Sequence, residues 1–302
     1  MSLEKLCRLF GYSRQAYWKS WRRREGVVLD ESALVVEIRR IRRRMPRIGG
    51  RKLQVMLQAQ GHDIGRDRLF ALLRESGLRN RISRYRAVTT NSRHWMRKWP
   101  NLVAGQEIVR MNQVWVSDIT YIDVYHRGKR HWLYLSLVTD ACTHEILGWT
   151  VHETLDTAGP RHALEMALSR FPPGSLSGLI HHSDRGAQYC SSEYVGILKS
   201  NGILISMTEG GDPYQNAIAE RVNGILKTEW LHGMRFTSDA QARAQVERII
   251  GIYNNERPHM SIGLLSPAMA RAMNAPALKI WKKRHAKPSA RKCMGTMADS
   301  VP

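Results

Sequence analysis

The strongest constraint on the fold is the stretch from Val114 to Val151. Three β-rich segments follow one another there with short connections: VWVSDITYIDV, WLYLSLVTD and EILGWTV. Runs rich in Val, Ile, Thr, Tyr and Trp suit strands, and such short connections suit antiparallel neighbours, so an antiparallel meander is the simplest topology. A helix is expected over 157–170, with Ala163, Leu164, Ala167 and Leu168 as its apolar residues. LSGLIHHSD reads as a short buried strand, a helix follows near 192–200, and ILISM gives a fifth strand before a last helix in NAIAERVNGILK. Three strands, helix, strand, helix, strand, helix predicts an α/β domain with helices against a five-stranded sheet.

Three carboxylates in this domain stand out by position. Asp118 lies inside the first strand, flanked by Val116 and Ile119, where an unpaired carboxylate is expensive to bury. Asp184 ends the fourth strand just before Arg185-Gly186, at the carboxyl edge where α/β sheets commonly place ligands. Glu220 sits on the last helix, and Lys227, seven residues on, returns to nearly the same face. Between Asp118 and Asp184 there are 65 residues, and between Asp184 and Glu220 there are 35. Taken singly, each acid has an ordinary role: a salt bridge for Asp118, a turn or cap for Asp184, a solvated helix face for Glu220. Together, carboxylates from two strands and a helix can converge at one sheet edge and bind two magnesium ions, hard cations that take oxygen ligands and keep phosphate oxygens in their shell. Two such ions about 4 Å apart can activate an attacking oxygen and stabilise a leaving one in phosphoryl transfer. His181 and His182 precede Asp184, but strand alternation sends them to opposite faces, and neither is counted as a ligand.

Charge points to the partner. The chain carries 47 Lys and Arg against 26 Asp and Glu, a net +21, an excess that favours a polyanion. It is also clustered. No acid lies between Glu75 and Glu107 or from Arg257 through Ala298, while Arg79, Arg81, Arg84, Arg86, Arg93, Arg97 and Lys98 fill the first interval and Lys279, Lys282, Lys283, Arg284 and Lys287 crowd the second. Basic linkers and tails suit phosphate backbones. With 43% hydrophobic residues, no run near the roughly 18 apolar residues of a membrane span and no basic-then-apolar start, the chain reads as a soluble protein of the cytoplasm with no membrane partner. Cys7, Cys142, Cys190 and Cys293 show no zinc spacing and read as reduced thiols.

The first third is helical. Leu3, Leu6, Leu9 and Phe10 mark a short helix, and Ser13 can cap a second before Ala16, Tyr17, Trp18 and Trp21. Asp30 is expected to start a further helix with Leu34, Ile38 and Ile41 on one face; Leu53, Met56 and Leu57 mark the next, and Leu69, Leu72 and Leu73 a third, stopped at Gly61 and Gly77 respectively. The turn at 61–64 has the length found in a helix-turn-helix, and its second helix would present Arg66 and Arg68 to DNA. The expected domains are a helix-turn-helix-like segment at 1–26, a helical DNA-binding domain at 27–78, a basic linker at 79–108, a catalytic core at 109–272 and a basic tail at 273–302. Tyr85, Trp95 and Trp99 in the linker are expected to pack on a domain surface rather than stack on bases. The glycines and proline of TEGGDPYQ predict a mobile loop ordered by DNA.

The segments WVSDITYI, HHSDRGAQYCS and YQNAIAERVNGILKTEW resemble the D, D-35-E core shared by retroviral integrases and bacterial insertion-sequence transposases. With MSLEKLCRLFGYSRQAYWK, RIGGRKL, NSRHWMRKWPNLV and YNNERPHMSIGLLSPA in order, nearly the whole chain looks like the second-frame (OrfB) transposase of two-frame insertion sequences. The resemblance implies a ribonuclease-H-like fold, with Asp118, Asp184 and Glu220 as catalytic residues and as ligands for two Mg²⁺ ions, Mn²⁺ being a substitute. It implies DNA contacts by Lys227 and by Arg51 and Lys52 of RIGGRKL. Asn216 is read as either a DNA or ligand-orienting donor or a helix cap; Arg257 and His259 of the closing motif, as either DNA contacts or helix terminators. The implied partners are double-stranded DNA, as terminal inverted repeats and target, a second copy of the chain on DNA, and the upstream-frame protein of the same element. The implied activity is metal-dependent strand cleavage and strand transfer in the nucleoid. Two alternatives stay open on residues alone: a DNA-binding regulator with an idle catalytic fold, and a ribonuclease-H-type nuclease without transfer.

Overall fold

The computed structural model describes residues 2–80, 95–126, 128–209 and 216–274. The first helix, α1 (Leu3–Leu9), leads through a Gly11 turn into α2 (Arg14–Arg44), whose first turn is capped by Ser13, its Oγ accepting from the Ala16 N–H at 3.0 Å. The expected new start at Asp30 is corrected: α2 is one 31-residue helix running through that position. The sequence there holds no proline, Gly26 is its weakest helix former, and a lone glycine costs about 1 kcal/mol without ending a helix. The next helices, α3 (Gly50–Ala59) and α4 (Arg66–Glu75), follow as expected, and Gly61 and Gly77 take the positive φ that ends each. Ile38, Ile41, Leu53, Leu57, Leu69, Leu72 and Leu73 are buried between them.

Residues 81–94 of the linker, including Tyr85, and 210–215 of the glycine loop lie outside the described residues, as does the tail beyond 274 with Cys293. Trp99 half-buries against the core with the Arg97 guanidinium 4.3 Å over its ring, as expected of a packing residue. Trp95 does not pack: it is 93% exposed.

In the central domain β1 (Val114–His126), β2 (Lys129–Asp140) and β3 (Ile146–His152) form the antiparallel meander. Next come α5 (Ala158–Leu168), then β4 (Ile180–Ser183), the short α6 (Ala187–Cys190), α7 (Ser192–Ser200) and β5 (Leu204–Met207). β4 pairs parallel with β1, and β5 with β4, giving the order β3-β2-β1-β4-β5. This is the mixed five-stranded sheet that the order of segments predicts. The α5 helix lies hard on β3: a Cβ at Gly148 would meet the Ala163 carbonyl oxygen at 1.9 Å, so only glycine fits.

The last helices, α8 (Ala217–Glu229), α9 (Asp239–Asn255) and α10 (Pro267–Ala272), complete the domain. Val222, Ile225 and Leu226 of α8 pack with Ile122, Val124, Leu133 and Leu135 of the sheet and with Val246, Ile249 and Ile250 of α9. The same apolar cluster continues into the N-terminal helices. His181 and His182 are both buried, as alternation requires on opposite faces. The His181 Nε2 shares hydrogen bonds with the Ser117 hydroxyl (2.8 Å) and the Tyr194 hydroxyl (2.9 Å), while the His182 Nδ1 meets the Ser206 hydroxyl at 2.8 Å. Burial pushes His181 down to about 3, so its ring is neutral. Cys7, Cys142 and Cys190 are buried, with no disulfide among the described residues. Among the described residues no helix is long and apolar enough to cross a membrane.

Candidate active site

Strand register brings the first two acids together. In the parallel ladder Val116 of β1 pairs with His182 of β4. Two positions further along both strands stand Asp118 and Asp184, and neighbouring strands lie about 4.8 Å apart. Asp184 has left the ladder, and its Oδ1 accepts from the Gly186 N–H at 2.9 Å, turning the chain into α6. The third acid comes from α8, which packs along β1 through Ala219 and Val222.

Asp118 carries the record of this convergence. Burial is the largest influence on it and the Asp184 charge the next, with Glu220 adding a smaller push in the same direction; together they hold its carboxyl up at about 7 against the hydrogen bonds it accepts. One of those comes from the Asn223 side chain, whose Nδ2 donates to Asp118 Oδ2 at 2.8 Å, and another from the Ile119 backbone. Glu220 is exposed on the first turn of α8, and partial burial raises it too. Among the described residues no three His, Cys, Asp or Glu side chains close into a metal-binding cluster. The acids share a field without forming a finished ligand set. Their donor chemistry nevertheless fits a hard divalent cation: carboxylate oxygens, with mutual repulsion that a cation would relieve.

Lys227 lies half-buried on the same helix. Burial lowers its ammonium from the ordinary lysine range, while Asp118 and Asp123 oppose that shift. It therefore sits within the field of Asp118, where the seven-residue spacing from Glu220 puts it.

The remaining expected contacts divide by burial. Arg51, Arg66 and Arg68 are exposed, Arg66 beside Asp67 at 2.9 Å and Arg68 in an ion pair with Glu31. Four others are enclosed; of the two roles left open for Arg257, helix termination fits, its backbone N–H donating to the Ile252 carbonyl at 3.1 Å just past the end of α9. Asn216 stands at the N-cap position of α8 without a side-chain capping bond and is turned from solvent: it is 6% exposed, and its Nδ2 donates to the Ser117 carbonyl at 3.3 Å, tying the helix start to the strand beside Asp118. Lys52 turns inward to Glu229 at 3.0 Å. Arg257 is 1% exposed and donates from Nε and Nη2 to the two oxygens of Glu229 at 2.8 and 2.6 Å. His259 is buried, its ring edge-on to Tyr253 at 4.9 Å and stacked with His144 at 5.7 Å, and burial drives it well below the ordinary imidazole range. Side chains enclosed in this way are not poised for phosphates.

Two residues that matter escape the sequence reading, Asn223 and Glu229. Asn223 had a signal: Asn216, Glu220, Asn223 and Lys227 are spaced four, three and four apart, a single stripe on a 3.6-residue helix. Glu229 had none, because its partners are 28 and 177 residues away in the chain.

Comparison with known proteins adds a family to this geometry. Two family models, both described as "Integrase core domain", match residues 109–213 and 201–267. Across 274 residues the chain is 38% identical to the Insertion element IS600 uncharacterized 31 kDa protein of Shigella sonnei, covering 88% of this chain and 97% of that protein. It is 32% identical over 273 residues to the transposase InsF for insertion sequence IS3A of Escherichia coli (strain K12), covering 88% and 92%. Among solved structures, the HTLV-2 integrase catalytic core domain in complex with magnesium aligns with 52% of this chain and 95% of that one, at 16% identity and a TM-score of 0.39.

Proposed function

Since the chain belongs to the insertion-sequence transposases that carry an integrase core domain, we propose that Asp118, Asp184 and Glu220 are the acids at which it cuts and joins DNA. The transposase activity is that of the family; the assignment to these side chains rests on one observation. Asp118, in a central strand, is held up at about 7 by burial and by a second acid, with no cation paired to it among the described residues. A fold retains such a costly arrangement where an incoming charge uses it.

The three acids would hold divalent metal, Mg²⁺ or Mn²⁺, as two ions in the full site. When bound, such ions supply Lewis-acid activation of the attacking oxygen and charge relief at the leaving one. The chain's own residues do the positioning. Asn223 fixes one oxygen of Asp118, the Gly186 N–H fixes one oxygen of Asp184, and Asn216 pins the start of α8 so that Glu220 stays at the sheet edge. Lys227, in the same field, meets the phosphate backbone of the DNA end. Water first opens the strand to leave a 3′-hydroxyl, and that hydroxyl then attacks a second phosphodiester. Each step exchanges one P–O bond for another, so no covalent protein–DNA link is needed.

The exposed Arg51, Arg66 and Arg68 on α3 and α4 hold the terminal inverted repeats mainly through phosphates. Two ends must be held together for joining, so the working form on DNA is at least a dimer, assisted by the upstream-frame protein of the same element. The work takes place in the cytoplasm, on nucleoid DNA.

The test is strand transfer by the purified chain on end-sequence duplex with Mg²⁺. Asp184→Asn should lower the rate by about 10²–10³-fold while end binding is retained. Undiminished transfer by this variant would remove Asp184 from the site, and binding without any cleavage by the wild-type chain would leave an idle fold.

A further inference from the structure

The far end of α8 is built around a second acid. Glu229 takes Lys52 of α3 at 3.0 Å on one oxygen and Arg257, from the segment after α9, on both. All three side chains are enclosed, at 13% exposure for Lys52, 11% for Glu229 and 1% for Arg257. Next to them, the Trp230 indole N–H donates to the Arg44 carbonyl, the last residue of α2, at 2.7 Å, and the Arg44 guanidinium pairs with Glu256. The Lys52–Glu229, Trp230–Arg44 and Arg44–Glu256 links each join the N-terminal helices to the end of α8 or of α9. The anchor within the catalytic domain is the Glu229–Arg257 pair; Lys52 and the Arg44 carbonyl are what the helical unit contributes.

We infer that Lys52, Glu229, Arg257 and Trp230 form a lock that sets the distance between the DNA end held by the helical unit and the phosphodiester that is cut. They act as positioning residues and touch no DNA. This rests on the reading above, in which α3 and α4 hold the element's end and Glu220 belongs to the cutting site. The lock grips the helix that carries Glu220, so the helical unit and the catalytic acid share one rigid element. A transposase must cut at one phosphodiester relative to its recognition sequence, and a unit free to swing would sample several. The lock therefore specifies the cut position rather than the affinity for the end. It also gives the closing RPH segment a role: Arg257 is the buried counter-charge that keeps Glu229 ionised for Lys52.

The experiment maps cleavage on end-labelled duplex by the full chain with Mg²⁺, alongside end affinity at several salt concentrations. Lys52→Glu sets a like charge against Glu229. It should leave end affinity and its salt slope as in the wild type while cleavage spreads to neighbouring phosphodiesters, with the yield at the wild-type position falling by up to about 10²-fold, the penalty for a misplaced reacting group. Lys52→Arg should restore the single position. Trp230→Phe, which removes the indole N–H together with part of the ring's bulk, should spread cleavage in the same way but less, and it decides the matter should Lys52→Glu fail to fold. Unchanged position and yield in both disruptive variants would overturn the lock. So would weaker end binding with a reduced salt slope in Lys52→Glu, since that is the mark of a phosphate contact. A wild-type chain that does not cleave at all would instead overturn the function on which the lock rests.

Discussion

One helix, α8, carries two carboxylates in opposite circumstances. Glu220, near its start, adds to the charge already shared by Asp118 and Asp184, and both Asp118 and Glu220 are raised above their ordinary range. Glu229, at its last residue, is also pushed up by burial, but the hydrogen bonds and charge of Arg257, and then of Lys52, outweigh that and hold it below the ordinary range. Nine residues on a 3.6-residue turn put the two acids on opposite faces. The difference separates two uses of a charge. At Glu229 the protein supplies the counter-charge itself, and the product is a fixed junction. At Asp118, among the described residues, it supplies neutral donors, the Asn223 amide and the Ile119 backbone, and no ion pair, so the charge is left for something that arrives. Within the junction the partners are unequal: burial and the Arg257 charge lower Lys52 despite Glu229. Two cations around one acid leave the second less favoured, so Glu229–Arg257 is the strong pair and Lys52 the weaker third.

The largest expected effect breaks the compensated end. Glu229→Ala leaves the Arg257 charge buried without its carboxylate and should cost about 3–5 kcal/mol in denaturant unfolding. A loss under 1 kcal/mol would mean that water replaces the carboxylate and the junction is not enclosed.

A smaller effect is expected at the other end. Asn223→Ala removes the donor that orients Asp118 and should lower strand transfer by about 10–100-fold, as loss of a partner behind a metal ligand does. Because Asp118 would then have one hydrogen bond fewer, its carboxyl should rise further, and the activity profile should move to higher pH. A fall in rate with no such movement would assign Asn223 to packing alone.

The smallest effects lie in stability against pH without metal, and they have opposite signs. Glu229, held low, contributes stability that is present above its unfolded value near 4.3 and is lost as pH falls through its lower folded value. Asp118, held high, contributes stability that is present below its unfolded value near 3.9 and is lost as pH rises through about 7. The melting midpoint of the wild type should therefore decline from about pH 4 to about pH 7 relative to Asp118→Asn, and Glu229→Gln should flatten the acid limb instead. Parallel curves for wild type and Asp118→Asn would show that Asp118 is not held high.

What the sequence makes legible follows from range. The five strands and most helices could be read because apolar alternation and glycine stops are local signals. The exception, the break expected at Asp30, fails because a capping residue is only an opportunity that a continuous helix can decline. The places of the three acids, in a strand, at a strand end and on a helix, were legible from local pattern, and Asn223 was within reach as the fourth member of a polar stripe. The fates of Lys52 and Arg257 were not. A basic residue in a basic chain looks like a DNA contact, and its burial depends on a carboxylate that only the fold brings near. The contact of Asn216 was hidden for the same reason, its partner being the Ser117 carbonyl on β1.

The central claim, that Asp118, Asp184 and Glu220 are held for a divalent cation, is tested most directly by metal alone. Thermal unfolding of the DNA-free chain at pH 8 should shift upward as Mn²⁺ or Mg²⁺ is added, by an amount equivalent to about 2.7 kcal/mol at a hundred times the dissociation constant, and Asp118→Asn should show no such shift. Equal shifts in the two proteins, or none in the wild type, would contradict the claim.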